Sequence, residues 1–203
     1  MNTALNYSEV IAWIEKKGIE LYGNKFKIIA SDHYIINKLI AYFLKDELTC
    51  NKLNIDLNKG ILLTGPIGCG KTTLMNLMKH LAQPNNKFSV KPCRDISFEF
   101  IQDGYIIIHK YSIGKPYQFE PRNYCFDDLG TENNLKYFGN ECNVIAEILL
   151  NRYDLFISKK LQTHITTNLS ATEIEKNYGN RVRSRLREMV NLIAYDKTTP
   201  DKR

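Results

Sequence analysis

What this 203-residue chain lacks excludes several kinds of protein at once. A membrane-spanning helix needs about 20 consecutive apolar residues. The richest apolar window here, Val144 to Leu150, is already broken by Glu147. The opening MNTALNYSEVIAWIEKKG carries Glu9 and Glu15 and has no basic start, so no secretory signal is expected. There is no internal repeat, low-complexity run or long linker. The five cysteines (Cys50, Cys69, Cys93, Cys125 and Cys142) contain no C-x-x-C pair. They are predicted to be small buried hydrophobes in a reducing cytoplasm, neither bridged nor metal-bound.

What remains is ordinary globular material, 43% apolar and 25% charged, enough for one α/β domain with a substantial core. The net charge of +6 favours a polyanionic partner without identifying one. Its distribution is more informative. Residues 176–187 hold Lys176, Arg181, Arg183, Arg185 and Arg187 with no acidic residue among them.

One short stretch defies both helix and strand preferences. In GILLTGPIGCGKTTL, glycines and a proline separate an apolar run, Ile61-Leu62-Leu63, from a helical pattern carried by Leu74, Leu77, Met78 and Leu81. Gly65-Pro66-Ile67-Gly68-Cys69-Gly70-Lys71-Thr72 fits G-x-x-x-x-G-K-[ST], a phosphate-binding loop, and Thr73 follows it. By average residue frequencies a chain of this length would match that pattern by chance on the order of 1% of the time. Glycines let successive N–H groups turn inward around an anion. The helix beginning near Gly70 would aim its positive end at the same phosphates. Lys71 would reach the β- and γ-phosphates, and the Thr72 hydroxyl would ligate Mg²⁺.

The rest of the chain alternates. A helix is expected over residues 5–22, with Gly18 near its end, then a short strand at KFKII. Asp32 is expected to cap a helix carrying Ile35, Ile36, Leu39, Ile40 and Phe43. KFSV reads as a strand and RDISFEFIQDG as a helix stopped by Gly104. YIIIHKYS fits strand and helix equally. NYCFDDLG reads as a buried strand ending in acids, Asn143 to Phe156 as an amphipathic helix and LQTHITTN as a strand. Residues 171–187 read as a helix and MVNLIAY as a closing strand. This order predicts an α/β, doubly wound, mainly parallel sheet, with the phosphate loop at the carboxyl ends of the strands.

Candidate chemistry collects at those ends. Asp127 would hold Mg²⁺, directly or through a water. Asp128 would orient, or take a proton from, water attacking the γ-phosphorus, with Glu132 the next candidate. Asn168 could hold that water, or could belong, with Thr167 and Ser170, to an ordinary turn or helix cap. At 3.6 residues per turn Arg181 and Arg185 share one helix face and Arg183 and Arg187 lie opposite, while Val182, Leu186 and Met189 form an apolar stripe. One arginine pair could therefore cross a subunit boundary, or the whole set could be a solvated basic face.

GILLTGPIGCGKTTL, CFDDLGTE, ITTNLS and GNRVRSRL, in this order, resemble the AAA+ ATPases of the DnaC-like helicase loaders and IstB-like transposase helpers. The resemblance covers roughly residues 31–195. It implies an ATP-binding core, residues 31–203, behind an N-terminal helical extension, residues 1–30. It also implies that the strand ending at Asn168 lies between the phosphate-loop and acidic strands, with Asn168 polarising the attacking water. Arg185 would be the arginine finger offered to a neighbouring subunit's nucleotide, with Arg181 one turn earlier. Asp128 stands where most of the class has glutamate, which implies slow hydrolysis. With the last strand expected close to Arg203, the class's helical lid is expected to be absent. The implied partners are ATP, single-stranded or double-stranded DNA, a replicative helicase or transposase, and further copies of the chain, with no membrane. A P-loop kinase for small molecules or nucleotides, and an ATP-dependent binding switch, remain alternatives.

Overall fold

The computed structural model describes residues 5–114, 120–132, 135–137 and 140–202. Two compact units emerge, one from Met1–Leu57 with Thr73–Lys87, the other from Asn58–Thr72 with Phe88–Arg203.

The first unit contains α1 (Tyr7–Tyr22), α2 (His33–Phe43), α3 (Glu47–Lys52) and all but the first two residues of α4 (Lys71–Met78). The Asn6 side chain caps α1 by accepting from Glu9 N–H, and Gly23, at φ 88°, ends it. Gly18 is an interior residue, there for space: a Cβ on it would lie 2.1 Å from the Phe26 ring. KFKII is not a strand. Ile28 N–H donates to the Glu15 carboxylate at 2.9 Å instead of joining a ladder. The five apolar residues expected on α2 are all buried. Asp32 precedes that helix but makes no side-chain capping bond, its own backbone being already helical.

The second unit is built on β1 (Gly60–Thr64), β2 (Phe88–Pro92), β3 (Asn123–Leu129), the short pair β4 (Leu135–Tyr137) and β5 (Asn140–Cys142), then β6 (Thr163–Thr167) and β7 (Val190–Ala194). Five of these form an all-parallel sheet in the order β2-β3-β6-β1-β7, while β4 and β5 pair antiparallel. β1 and β6, in the middle of the sheet, are buried almost throughout, as strands of a parallel sheet are, although β6 is mostly threonine. Helices α5 (Cys93–Asp103), α6 (Ile106–Tyr111), α7 (Val144–Lys159) and α8 (Ala171–Met189) share one core with them. Phe126 and Ile165 from the sheet meet Ile96, Phe100, Ile148 and Leu186 there. The ambiguous YIIIHKYS is helical, since Ile107, Ile108 and Tyr111 are its buried residues, a helical spacing.

Two elements differ from their sequence expectation in ways that reach the site. β3 does not stop at the acids. It runs on to Leu129, with its register against β6 shifting between Phe126 and Leu129. The helix expected over 171–187 is broken at Gly179, at φ 84° and ψ 160°, so the arginines occupy a segment of their own.

Arg152 on α7 is 0% exposed. Its guanidinium donates to Thr163 Oγ1 at 2.8 Å and to the carbonyls of Tyr111 (2.9 Å), Arg122 (3.0 Å) and Gln162 (2.9 Å). It also lies over the Tyr124 and Phe126 rings. Burial lowers its pKa to about 9, so it remains charged at neutral pH. One side chain thus ties the end of α6 and the starts of β3 and β6 to α7.

Candidate functional site

The carboxyl ends of β1, β6 and β3 lie side by side in the sheet. Thr64, which ends β1, pairs with Thr167, which ends β6, and Gly65 N–H continues the ladder to the Thr167 carbonyl at 3.3 Å. The glycine-rich loop therefore leaves β1 already fastened beside Asn168. Gly68 (φ 79°) and Gly70 (φ 93°) take left-handed conformations, which glycine adopts without a steric cost. Pro66 and Ile67 form the rise of the loop, Ile67 exposed and Cys69 buried beneath it. Thr73, partly buried, is the third residue of α4 and belongs to the first unit.

Lys71 opens α4 and is 6% exposed. Its ammonium donates to the carbonyls of Gly65 at 2.9 Å and Pro66 at 2.8 Å. The charge is thus held inside the loop by the loop's own oxygens. An arriving phosphate would compete for the same donors.

Next to it, Thr72 Oγ1 donates to the Asp127 carboxylate, 3.0 Å from each oxygen. Thr166 Oγ1 donates to Asp127 Oδ1 at 2.6 Å. Asp127 is 4% exposed, and burial raises its pKa above the ordinary carboxylate value, with Asp128 adding to the effect and the two hydroxyls and Lys71 opposing it. A buried carboxylate held by hydroxyls is incompletely compensated. It suits a small divalent cation that keeps its waters and takes its remaining ligands from phosphate. Thr72 and Asp127 are the residues that would hold such an ion. It would supply charge neutralisation for phosphate oxygens.

Asp128 is exposed and adopts φ 53° at the register shift in β3. Its N–H donates to Thr166 Oγ1 at 2.9 Å, and its carbonyl accepts from Thr131 N–H and Oγ1. Backbone bonds fix the turn while the carboxylate faces outward. Glu132 is committed elsewhere: it accepts from Gly130 N–H at 3.0 Å and from the Tyr178 hydroxyl.

Asn168 is exposed at the end of β6, between two residues with structural duties. Thr167 Oγ1 donates to the Leu129 carbonyl at 2.7 Å. Ser170 is the N-cap of α8, in a reciprocal capping box with Glu173. The helix-cap reading thus applies to Ser170 and not to Asn168.

On α8 the apolar stripe Val182, Leu186 and Met189 is buried as expected. Arg181 and Arg187 are exposed, and Arg183 is ion-paired with Glu175. Arg185 lies over the Tyr153 ring, 4.2 Å from its centroid, donating to the Tyr153 hydroxyl at 3.1 Å and to Glu188 at 3.4 Å. Its side chain keeps 37% exposure. Lys71, Thr72, Asp127 and Asp128 are thus gathered around the loop, while the bonds of Arg185 run to α7 and to its own helix.

Sequence reasoning missed Thr166, which bridges both aspartates. The second threonine of THITTN was its only trace, and threonine is common in strands. It also missed Tyr153, which carried no signal.

No family model matches the chain. Among curated proteins, the Fe(3+) ions import ATP-binding protein FbpC of Photobacterium profundum is 28% identical over 102 residues. That match spans 49% of this chain and 28% of the relative's length. Among solved structures, the DnaC helicase loader superposes with a TM-score of 0.56 at 18% identity, covering 89% of this chain and 99% of that one. DnaI superposes with a TM-score of 0.57 at 17% identity, covering 89% and 94%. At that identity the likeness shows the fold alone: a parallel α/β sheet flanked by helices, as the alternation of elements predicted. No described helix is long and apolar enough to cross a membrane.

Proposed function

We propose that this chain binds ATP with Mg²⁺ at Gly65–Thr73 and hydrolyses it slowly, as an accessory factor in DNA replication or transposition. The observation that carries the reading is the Thr72–Asp127 pair beside the buried Lys71 ammonium: hydroxyl, carboxylate and cation converge where a Mg²⁺-bound phosphate would sit. The name of FbpC, an ATP-binding protein, supports nucleotide binding. The fold shared with the DnaC helicase loader supports a role with a DNA-bound helicase in the cytoplasm.

In this reading Lys71 exchanges the two loop carbonyls for phosphate oxygens, and the loop N–H groups bind the same anion. Asp128 orients the attacking water, with Asn168 on the neighbouring strand as its second hydrogen-bond partner. Arg185, stacked on Tyr153, supplies positive charge to the nucleotide of an adjacent copy, with Arg181 as the alternative donor. Such an arginine is worth about 10³–10⁵ in rate. DNA would be held mainly through phosphate contacts, so its affinity should fall steeply with salt.

An ATP-turnover assay across protein concentration, with and without single-stranded DNA, tests the proposal. Turnover without a small-molecule acceptor, rising with concentration and with DNA, is expected. Turnover that requires a small-molecule acceptor would favour a kinase. Tight ATP binding with no turnover under any condition would favour a binding switch.

A further inference from the structure

The segment after β7 does not leave the phosphate loop. Tyr195 N–H donates to the Thr64 carbonyl at 2.8 Å, extending the strand alignment by one residue. Asp196 then turns the chain: its carboxylate accepts from Thr198 N–H at 2.8 Å and Thr198 Oγ1 at 2.5 Å, and its carbonyl accepts from Thr199 N–H at 3.0 Å. The reversed chain comes back to the loop, where Lys202 N–H donates to the Gly68 carbonyl at 3.1 Å.

Each of the three loop glycines is met by this segment. A Cβ on Gly65 would lie 2.6 Å from Tyr195 Cβ, and one on Gly68 would lie 2.2 Å from the Asp201 carboxylate carbon. One on Gly70 would lie 4.0 Å from Lys202 Nζ. At Gly65, whose φ is not left-handed, space is the reason for glycine, since Tyr195 Cβ lies where a side chain would project, whereas Gly68 combines a left-handed φ with the nearby Asp201 carboxylate. A neighbouring segment lies where their side chains would project. The Lys202 ammonium, 5.2 Å from the Tyr195 ring centroid, stands at the start of α4, and both it and Lys71 act electrostatically on Cys69 between them.

We propose that residues 195–202 form a strap seated on the phosphate loop, and that Lys202 turns its ammonium onto the phosphates of the bound nucleotide as a second cation beside Lys71. The proposal rests on the ATP-binding reading of the loop. A four-carbon stem allows the ammonium to move while the backbone bond to Gly68 holds the strap. The γ-phosphate adds charge that ADP lacks, so the lysine should distinguish the two nucleotides. Lys202 is a positioning residue for the phosphates, with its backbone fixed by the loop that it serves.

The test is a titration of the full chain with Mg-ATP and with Mg-ADP, for wild type, Lys202→Ala, Lys202→Arg, Asp201→Asn and Lys71→Ala, alongside nucleotide-free melting curves. Lys202→Ala is expected to weaken ATP binding about tenfold, as for one partly exposed charge-assisted hydrogen bond. ADP binding should weaken less, nucleotide-free melting should fall only by the small loss of the Tyr195 ring contact, and Lys202→Arg should restore ATP affinity. Wild-type affinity for both nucleotides in Lys202→Ala, with binding lost in Lys71→Ala, would overturn the strap proposal and leave the ATP site standing. Equal losses for ATP and ADP with a lower nucleotide-free melting temperature would make Lys202 a buttress and also overturn it. Tighter binding in both Asp201→Asn and Lys202→Ala would overturn it in favour of a strap that obstructs the loop. Wild-type binding in Lys71→Ala would remove the nucleotide site and the proposal together.

Discussion

Asp128→Gly separates what this aspartate contributes to the fold from what it contributes to chemistry. The residue sits at φ 53°, and the hydrogen bonds that fix its turn come from its own backbone: N–H to Thr166 Oγ1, and carbonyl to Thr131. Glycine keeps all of these. The left-handed conformation costs an L-residue about 1–2 kcal/mol, less for aspartate, and glycine would relieve it. Glycine also has a more flexible unfolded chain, a loss of about 0.5–1 kcal/mol in an extended element. These effects oppose one another, so stability should change by less than about 1 kcal/mol in either direction. ATP turnover should fall to background while Mg-ATP affinity is retained, because Thr72 and Asp127 are untouched. Urea denaturation and a steady-state phosphate-release assay on the same preparation measure both quantities. Retained turnover would mean that the water is oriented elsewhere. A loss well beyond 1 kcal/mol would mean that the carboxylate is structural. The same geometry bears on the choice of aspartate over glutamate at this position. Short Asp and Asn side chains tolerate the left-handed region better than longer ones. Asp128→Glu is accordingly expected to lower stability as well as to lengthen the reach of the acid.

Three other expectations follow from the packing. Burial raises the Asp127 pKa, so as pH climbs through the carboxylate range the unfolded chain releases its proton first and the nucleotide-free fold loses stability, a loss still present at neutral pH. Asp127→Asn should therefore match or exceed the wild-type melting temperature at pH 7 without nucleotide while losing Mg²⁺-dependent ATP binding; a lower melting temperature would contradict this. Arg152→Met would leave three carbonyls and one hydroxyl without their buried donor, so a loss of about 3–5 kcal/mol is expected in urea denaturation, and a loss below about 1 kcal/mol would refute its bridging role. Arg185→Ala should bind ATP yet stay inactive at every concentration, and mixing it with Lys71→Ala should restore part of the activity; a dead mixture would rule out action across subunits.

The phosphate loop was legible because its chemistry dictates residue types at fixed offsets, and because strand and helix periods change on either side of it. The alternation of those periods also predicted the parallel sheet. Strand order was not in the periodicity. That β6 lies between β1 and β3 came from the family resemblance, and the sheet has that order. Thr166 becomes a partner of Asp127 only through that non-local neighbour relation. The shift that turns Asp128 outward is likewise a property of two paired strands, invisible in NYCFDDLG alone. The break at Gly179 is not visible in the helical pattern of 171–187, since glycine within such a pattern does not by itself mark a break. Arg152 falls within the amphipathic helix expected over Asn143 to Phe156, and only the convergence of α6, β3 and β6 makes it a buried junction. KFKII shows the opposite failure: a short strand is expected there, but the Glu15 carboxylate takes the backbone hydrogen bond.

The central claim, that Gly65–Thr73 binds Mg-ATP through Lys71, is tested most directly by titrating wild type and Lys71→Ala with a fluorescent ATP analogue, with and without Mg²⁺. Among the described residues the Lys71 ammonium bonds to atoms of its own loop, so Lys71→Ala should fold normally, as read by circular dichroism. Saturable, Mg²⁺-strengthened binding to wild type and none to the folded Lys71→Ala protein is the expected result. Equal affinity of the two proteins for the analogue, or no binding to either, would contradict the account.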